Sequence, residues 1–396
     1  MTSENINKGS PAAWKELLTP PAPNQALVLA IFFFASCLVL PLANDANVAT
    51  AYMVACVFLY YGMNRSLKSM LHYALPALPL LLLSAVLPVP TLMMLPCAYI
   101  TILVGGSCGA FLLTHYHKLR HVALFALAPA AAYGAAFLLL GVPFRPLLAL
   151  MPAALALAAG LCLICGTACK DAVVTVAAAL IAVAVAAGVI TLAVRGELHG
   201  NVLKSVCTRI YDSIISSALK AQEFYYEQTG VLLEFSETEL AYTVRSLINL
   251  APGLILALAG AISFLLWRSL LNMLTAFDSL PRLPVRIAGF AMGRMAAVVF
   301  LLGSVVSLLA SSGVVSAVCD NLTLALSPGL ALIGCIALFS RGKERSCLTT
   351  LISIGLIALL FIDIFSAVTL ASTFGAITVL TARFLPDPRD NNKKGE

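Results

Sequence analysis

The stretch LTTLISIGLIALLFIDIFSAVTLASTFGAITVLTA, residues 348–382, decides how this chain is organised, because its 35 positions hold a single charged residue, Asp363. As one α-helix the stretch would be about 52 Å long, whereas the hydrocarbon core of a bilayer is about 30 Å thick. We therefore expect two short helices, 348–362 and 364–382, with the chain turning at Asp363. The alternative is a carboxylate buried at membrane depth, which would cost about 2.5–3.5 kcal/mol and would need a partner or a function.

The rest of the chain is almost as apolar as this stretch. Hydrophobic residues make up 61% of the 396 residues and charged residues 11%. Soluble domains contain roughly 45–50% apolar and about 25% charged residues. A chain of this composition cannot cover itself with polar surface, so we predict an all-α, polytopic transmembrane helix bundle. The cysteines lie mostly inside apolar segments, where a thiol behaves as a small hydrophobic group, and do not indicate a disulfide framework.

Apolar segments long enough to cross a bilayer recur along the chain and predict about 12 spans. They lie near 25–42, 48–63, 70–87, 91–114, 122–141, 147–165, 172–194, 248–267, 289–311, 321–339, 348–362 and 364–382. The alanine-rich fifth, sixth and seventh spans are expected to pack centrally, because small residues let helix backbones approach closely. The Gly105 and Gly109 pair of the fourth span is read as ordinary packing within the chain.

Residues 195–247 form the one long polar segment between spans, and we predict an extracytoplasmic insertion of amphipathic helices there. A helical period of apolar residues runs up to Gly230, which is a plausible stop. Ser236 and Glu239 then have capping-box spacing, which predicts a new helix that runs on into the eighth span. The insertion is expected to lie on the outer membrane surface or to cover an outward-facing cavity.

Five regions follow: a cytoplasmic N-terminal segment (1–24), an N-terminal transmembrane block (25–194), the insertion (195–247), a C-terminal transmembrane block (248–382) and a basic cytoplasmic tail (383–396). Twelve spans place most of the 24 lysines and arginines on the same side as both termini. The positive-inside rule assigns that side to the cytoplasm. A single final crossing would leave the basic tail outside, so the rule also favours the turn at Asp363.

Four polar residues of the C-terminal block are candidates for binding a substrate: Arg294, Asp320, Asn321 and Asp363. Arg294 lies near the start of its span, where a long side chain can snorkel to the interface or meet an anionic group in an internal cavity. Asp320 and Asn321 stand at the start of the tenth span, where they suit helix capping or a share in an outward-facing site.

No cofactor, metal site or enzyme activity is predicted. The phosphate-loop motif GxxxxGK[ST] and the motifs HExxH and GxSxG are missing from the sequence. Cys162, Cys165 and Cys169 have the spacing of one helical face but lack a fourth ligand, so we interpret them as structural. His115, His117 and His121 stand beside basic residues and are interpreted as a polar loop that faces lipid headgroups.

The C-terminal block resembles the YybS-like family of bacterial membrane proteins, whose function is uncharacterised. The resemblance rests on Asn249 and Pro252 at the start of a helix, the basic loop after that helix, the DNL sequence at 320–322, and Gly375 followed by Arg383. The membrane part of that family looks similar to the substrate-capture (S) components of energy-coupling factor transporters. This similarity implies cargo capture from outside a bacterial cell membrane, with energy supplied by separate ATPase or coupling subunits.

The chain departs from that pattern, since it has about twelve predicted spans rather than six, and Ala376 stands where the family has an aspartate after the final glycine. Two hypotheses remain. A transporter-like, solute-capture subunit requires a polar-lined outward cavity. A non-transporting scaffold or regulatory protein would use the insertion as a partner surface and pack tightly. In either case the lipid bilayer is the constant partner, and the basic residues orient the chain rather than bind nucleic acid.

Overall fold

The computed structural model describes residues 21–42, 46–64, 90–116, 118–140, 146–194, 196, 202–230, 237–276, 289–310, 313–340, 355–356, 359 and 363–381. Within these ranges no β-strand occurs, so the predicted all-α class is confirmed for the described chain. In chain order the helices are α1 (Pro23–Leu42), α2 (Ala46–Asn64), α3 (Pro90–His115), α4 (Leu119–Leu140), α5 (Pro146–Ile164), α6 (Cys169–Val194), α7 (Val202–Thr229), α8 (Glu237–Ala276), α9 (Arg294–Leu309), α10 (Val314–Ser340) and α11 (Ile364–Thr381).

Five of these helices are long and apolar enough to cross a membrane, and others are apolar but shorter, which fits a membrane protein. The five stretches are Pro96–His115, Arg120–Leu139, Cys169–Val194, Ala241–Thr275 and Val314–Phe339. The residues outside the described ranges include the predicted span 70–87, most of the predicted helix 348–362, Ser236, residues 1–20 of the N-terminal segment and the whole tail 383–396. The number of twelve spans therefore stays a prediction.

The amphipathic segment and the eighth span are organised as the sequence indicates. Helix α7 ends at Thr229, and Gly230 follows with φ +68°, a left-handed conformation that glycine adopts without steric cost. Its N–H donates to the carbonyl oxygen of Tyr226 at 2.8 Å. Helix α8 then has 40 residues, about 60 Å of continuous helix. The predicted continuation from the insertion into the eighth span is confirmed.

The described chain divides into two compact units, and α8 contributes to both. The first unit contains residues 1–244 and 262–289, and the second contains residues 245–261 and 290–396. The later part of α8 belongs to the first unit because it packs on α3. The Ser107 hydroxyl donates to the Ser269 hydroxyl at 2.8 Å, and Leu266 lies against Gly106. The units thus differ from the sequence-based blocks, which place all of 248–382 together.

Helix α3 is the centre of the first unit. Helices α1, α2, α4 and α5 contact it, and it is buried along almost its whole apolar length. A Cβ atom on Gly109 would lie 2.5 Å from Phe33 of α1 and 2.6 Å from Ala156 of α5. A Cβ atom on Gly105 would overlap Ser36 of α1. The interpretation of this glycine pair as packing within the chain is confirmed.

The expected central position of the alanine-rich helices is correct for α5 and wrong for α4 and α6. Helix α5 contacts α1, α3, α4 and α6. In contrast, most of α4 and α6 is exposed, with Leu138 80% and Val174 67% accessible. The glycines of α3 allow a closer approach of neighbouring backbones than alanine does, so α3 takes the centre instead.

In the second unit, α9, α10 and α11 each contact the other two. Ala297 of α9 shares a core cluster with Leu330 of α10 and Ala376 of α11. Helices α10 and α11 cross at Gly334 and Gly375, where a Cβ atom on either glycine would overlap backbone atoms of the other helix. This crossing fixes the frame on which the candidate site residues are placed.

Candidate functional site

All four candidate residues lie in the second unit, but at three separate places. Arg294 is the first residue of α9, Asp320 and Asn321 occupy the second turn of α10, and Asp363 directly precedes α11. Thirteen residues separate Arg294 from Ser307, which contacts Asp320, and these span about 20 Å of helix. The structure therefore does not bring Arg294 and Asp320 into one site.

Asp363 is exposed and lies at the N-terminal end of α11. Its backbone carbonyl accepts the Ala367 N–H at 3.1 Å, and its carboxylate accepts a hydrogen bond from the Ser366 hydroxyl. The helix begins at Ile364, as the sequence predicts. A carboxylate at this end of a helix is favoured by the helix dipole. The Asp363 N–H also donates to the Leu359 carbonyl at 2.7 Å, which is the i→i−4 bond of a helix, so helical bonding is present on both sides of this residue. The turn at Asp363 therefore stays a prediction.

Asp363 is also remote from Asp320. Ala367, one turn into α11, shares a core cluster with Leu338 near the C-terminal end of α10. Asp320 lies near the other end of that helix, in its second turn. The two carboxylates therefore stand towards opposite ends of α10 and do not form a pair.

Arg294 lies closer to a helix end than the sequence indicates, because α9 begins at this residue rather than near position 289. A cation at a helix N-terminus is disfavoured by the dipole. The Nη2 atom of its guanidinium is buried, and no described residue accepts its hydrogen bond. An anionic partner would offset the unfavourable helix dipole and accept a hydrogen bond from Nη2. The described part of the chain does not provide one.

The capping interpretation of Asp320 and Asn321 is wrong, because α10 begins at Val314, six residues before Asp320. The Asp320 carboxylate instead accepts a hydrogen bond from the hydroxyl of Ser307 on α9. Its second oxygen accepts a hydrogen bond from the Ser316 hydroxyl at 3.3 Å. Asp320 therefore ties α9 to α10 rather than closing the end of α10.

The Asn321 side chain binds the backbone of α8 beside Pro252. Its Nδ2 donates to the carbonyl oxygen of Asn249 at 2.7 Å, and its Oδ1 accepts the Gly253 N–H at 2.6 Å. Nδ2 also donates to the carbonyl of Ala317 on its own helix at 2.7 Å. In an α-helix the groups of residues 249 and 253 normally bond to each other. The Asn321 amide thus engages both ends of one helical turn of α8.

Pro252 and Gly253 both lie at this turn. Pro252 has no N–H, so it leaves the Ile248 carbonyl without its helical donor, one residue before the Asn249 carbonyl that Asn321 binds. A Cβ atom on Gly253 would lie 2.6 Å from the carbonyl oxygen of Asn321, so glycine permits the close approach of the two helices. A weakened helical turn and a polar side chain that binds it therefore occur together.

Helix α10 contains a second Pro-Gly pair, Pro328 and Gly329, within its apolar length. The Ser327 hydroxyl donates at 2.8 Å to the carbonyl of Leu324, which Pro328 leaves without its helical donor. Ser372 of α11 donates to the Ser327 carbonyl at 2.9 Å. Side-chain hydrogen bonds are thus present at both Pro-Gly turns, the one in α8 and the one in α10.

The contacts of Ser307 and Ser316 with Asp320, and the side-chain bonds at the Pro328 turn, were not predicted from the sequence. The Pro-Gly pairs within apolar spans are a sequence signal that could have located both interrupted turns. No local signal indicates Ser307, because it is one of two serines in an apolar helix and its contact is made with a residue of α10.

The cysteine and histidine groups do not form metal sites in the described residues, where no group of three or more His, Cys, Asp or Glu side chains comes together. The expected single helical face of the cysteines is wrong, because α5 ends at Ile164 and Gly166 turns the chain with φ +64°. Cys162 therefore lies on α5, Cys165 in the turn and Cys169 on α6. His117 lies outside the described residues.

Comparison of the chain with protein-family models, with curated proteins and with solved structures gives no match.

Proposed function

We propose that this chain is a transporter-like, solute-capture subunit of the bacterial cell membrane that relies on partner proteins for energy. It is not itself an enzyme in this proposal, and it is related to the YybS-like family. The chain crosses the membrane about twelve times, with both termini in the cytoplasm and residues 195–247 outside. The observation that carries the proposal is the binding of Asn321, the residue after Asp320, to the Pro252 turn of α8.

Two physical arguments support this proposal. In transporters, hydrophobic segments that contain Gly and Pro interruptions are a sequence pointer to the binding site. Here α8 and α10 are both membrane-length and both carry a Pro-Gly pair. Ionisable residues within membrane helices are costly and mark functional sites by default. Asp320 lies within the membrane-length part of α10.

One observation favours the alternative of a scaffold or regulatory protein. Helix α7 is 28 residues long and makes no extensive packing contact with another described helix. Leu219 and Tyr226 of this helix are 52% and 50% accessible. An exposed amphipathic helix of this length can serve as a partner surface or lie on the membrane.

The proposal is tested by purifying the protein from its native cell in a mild detergent and measuring everything that stays bound by native mass spectrometry. We expect an ATPase or coupling module, or one defined small molecule, to be retained. The matched variant is Asn321→Leu, which removes the amide at the Pro252 turn, with Ser304→Ala as a control because the Ser304 hydroxyl bonds only within its own helix. A captured solute should be lost from the first variant and kept by the second.

Recovery of lipid alone, or of lipid with a non-transport protein, would contradict solute capture. Retention of such a protein that is lost after deletion of residues 202–229 would support the scaffold function instead. A solute retained equally by Asn321→Leu and by the unmodified protein would move the binding site away from the Pro252 turn.

A further inference from the structure

We propose that Asp320, Ser307 and Ser316 form a binding site for an alkali-metal cation, sodium or potassium. The inference rests on the proposed function, because the ion would be the cargo or the coupling ion of a transporter. Its structural basis is the convergence of one carboxylate and two hydroxyls from α9 and α10 within the second unit.

Asp320 lies within a membrane-length helix without a basic partner among the described residues. Asp320 is only partly exposed and lies six residues into α10, about 9 Å along a helix long enough to cross a membrane. Ser307 and Ser316 donate hydrogen bonds to the Asp320 side chain, but neither is a charged group. Among the described residues, no lysine, arginine or histidine pairs with it. A carboxylate in such a position normally has a charged partner.

The three side chains of the site offer only oxygen atoms as ligands. Carboxylate and hydroxyl oxygens are hard donors, which bind hard cations rather than zinc or copper. Calcium sites usually gather several carboxylates, whereas the described residues bring no group of three or more acidic, histidine or cysteine side chains together. One carboxylate neutralises one monovalent cation and leaves no net charge in a surrounding of low dielectric. The site therefore fits a monovalent ion better than a divalent one.

The two serine hydroxyls contact the Asp320 carboxylate from two helices. Ser307 is on α9 and Ser316 is one turn before Asp320 on α10, and their hydroxyls bond to different oxygens of the carboxylate. A hydroxyl that donates to a carboxylate can instead turn its lone pairs to a cation between the two oxygens. Asn321, which follows Asp320 in sequence, binds the backbone of α8. An ion bound at Asp320 would therefore lie one residue away from the side chain that contacts the Pro252 turn.

The test is the thermal stability of the purified protein in sodium, potassium and choline chloride at equal ionic strength, because an ion that binds only the folded protein raises its Tm. We expect Tm to rise with the concentration of one alkali-metal ion and not with choline, and the sodium and potassium series identify that ion. Asp320→Asn should abolish the ion-specific rise. Ser307→Ala should weaken the apparent ion affinity by about tenfold or more, as loss of supporting groups does in other metal sites.

Ser304→Ala is the matched control, since this hydroxyl also lies on α9 but donates to the Phe300 carbonyl at 2.8 Å. Its ion dependence should equal that of the unmodified protein. If Asp320→Asn does not fold, the variants Ser307→Ala, Ser316→Ala and the two combined take its place, with a progressive loss of affinity expected.

Equal Tm values in alkali-metal and choline salts would overturn the proposal. So would an ion-specific rise that persists in Asp320→Asn or in the double serine variant. The measurement needs no cargo and no partner, so its result is separate from that of the native mass spectrometry. A retained solute without an ion response would leave solute capture standing and remove the cation site.

Discussion

At the scale of single residues, two neighbours on α10 perform different tasks. Asp320 takes hydroxyl hydrogen bonds from α9 and from its own helix, while the Asn321 amide binds the backbone of α8. Both were expected at a helix start, where their short polar side chains cap N–H groups. Because α10 begins at Val314, their side chains are instead available to neighbouring helices.

Asn321→Leu is expected to destabilise the protein, because it leaves the Gly253 N–H and the Asn249 carbonyl without the amide. A net hydrogen bond contributes about 0.5–1.5 kcal/mol, and side-chain bonds between membrane helices average about 0.6 kcal/mol. The free energy of unfolding should therefore fall by roughly 1–3 kcal/mol. Thermal unfolding in detergent measures the change, with Ser304→Ala as the comparison. An unchanged Tm would show that the hydrogen bonds of the Asn321 amide to α8 do not contribute to stability.

At the scale of elements, glycines determine which helices approach most closely. Gly334 and Gly375 allow the crossing of α10 and α11, and the glycines of α3 allow α1 and α5 to cover it. In a bilayer, burial of apolar surface does not drive helices together, so close van der Waals packing is a main source of association. Alanine content alone is therefore a poor guide to the central helix.

Gly375→Ala and Gly334→Ala are each expected to destabilise the α10–α11 crossing, because the added Cβ atom overlaps backbone that cannot move as a side chain can. Overpacking of this kind typically costs about 1–3 kcal/mol. The matched control is Gly260→Ala in α8, where a Cβ atom would meet open space. That change should be neutral or slightly stabilising, since alanine favours helix over glycine. Equal Tm values for all three variants would contradict the tight crossing.

At the scale of the whole molecule, the charge distribution along the chain predicts which loops face the cytoplasm, and the helix ends determine where the chain can turn. Helix α11 starts directly after Asp363. If the chain turns there, the positive-inside rule predicts that the turn lies outside and the basic tail inside.

Asp363→Cys is therefore expected to react with a membrane-impermeant thiol reagent on intact cells. Lys343→Cys, in the basic segment that follows α10 in sequence, should react only after the cells are permeabilised. The unmodified protein gives the background of the native cysteines. Failure of Asp363→Cys to react from either side would refute the turn, and reaction only after permeabilisation would invert the proposed topology.

The sequence by itself determined the helical, apolar character of the chain and the approximate limits of most helices. Composition and hydrophobic periodicity are properties of consecutive residues, so they locate α3, the continuation of the insertion's second helix into the eighth span, and the start of α11 without knowledge of any contact. Asp363 belongs to this class, because a charge that interrupts a long apolar run is visible in the sequence alone.

Only the tertiary structure decided which residues meet. The Asn321 amide and Gly253 are 68 residues apart in sequence, and Ser107 and Ser269 are 162 apart. Such pairs depend on the crossing of helices and on the glycines that permit it. The site at Asp320, the division of α8 between two units and the central position of α3 follow from these long-range contacts, which no local pattern encodes.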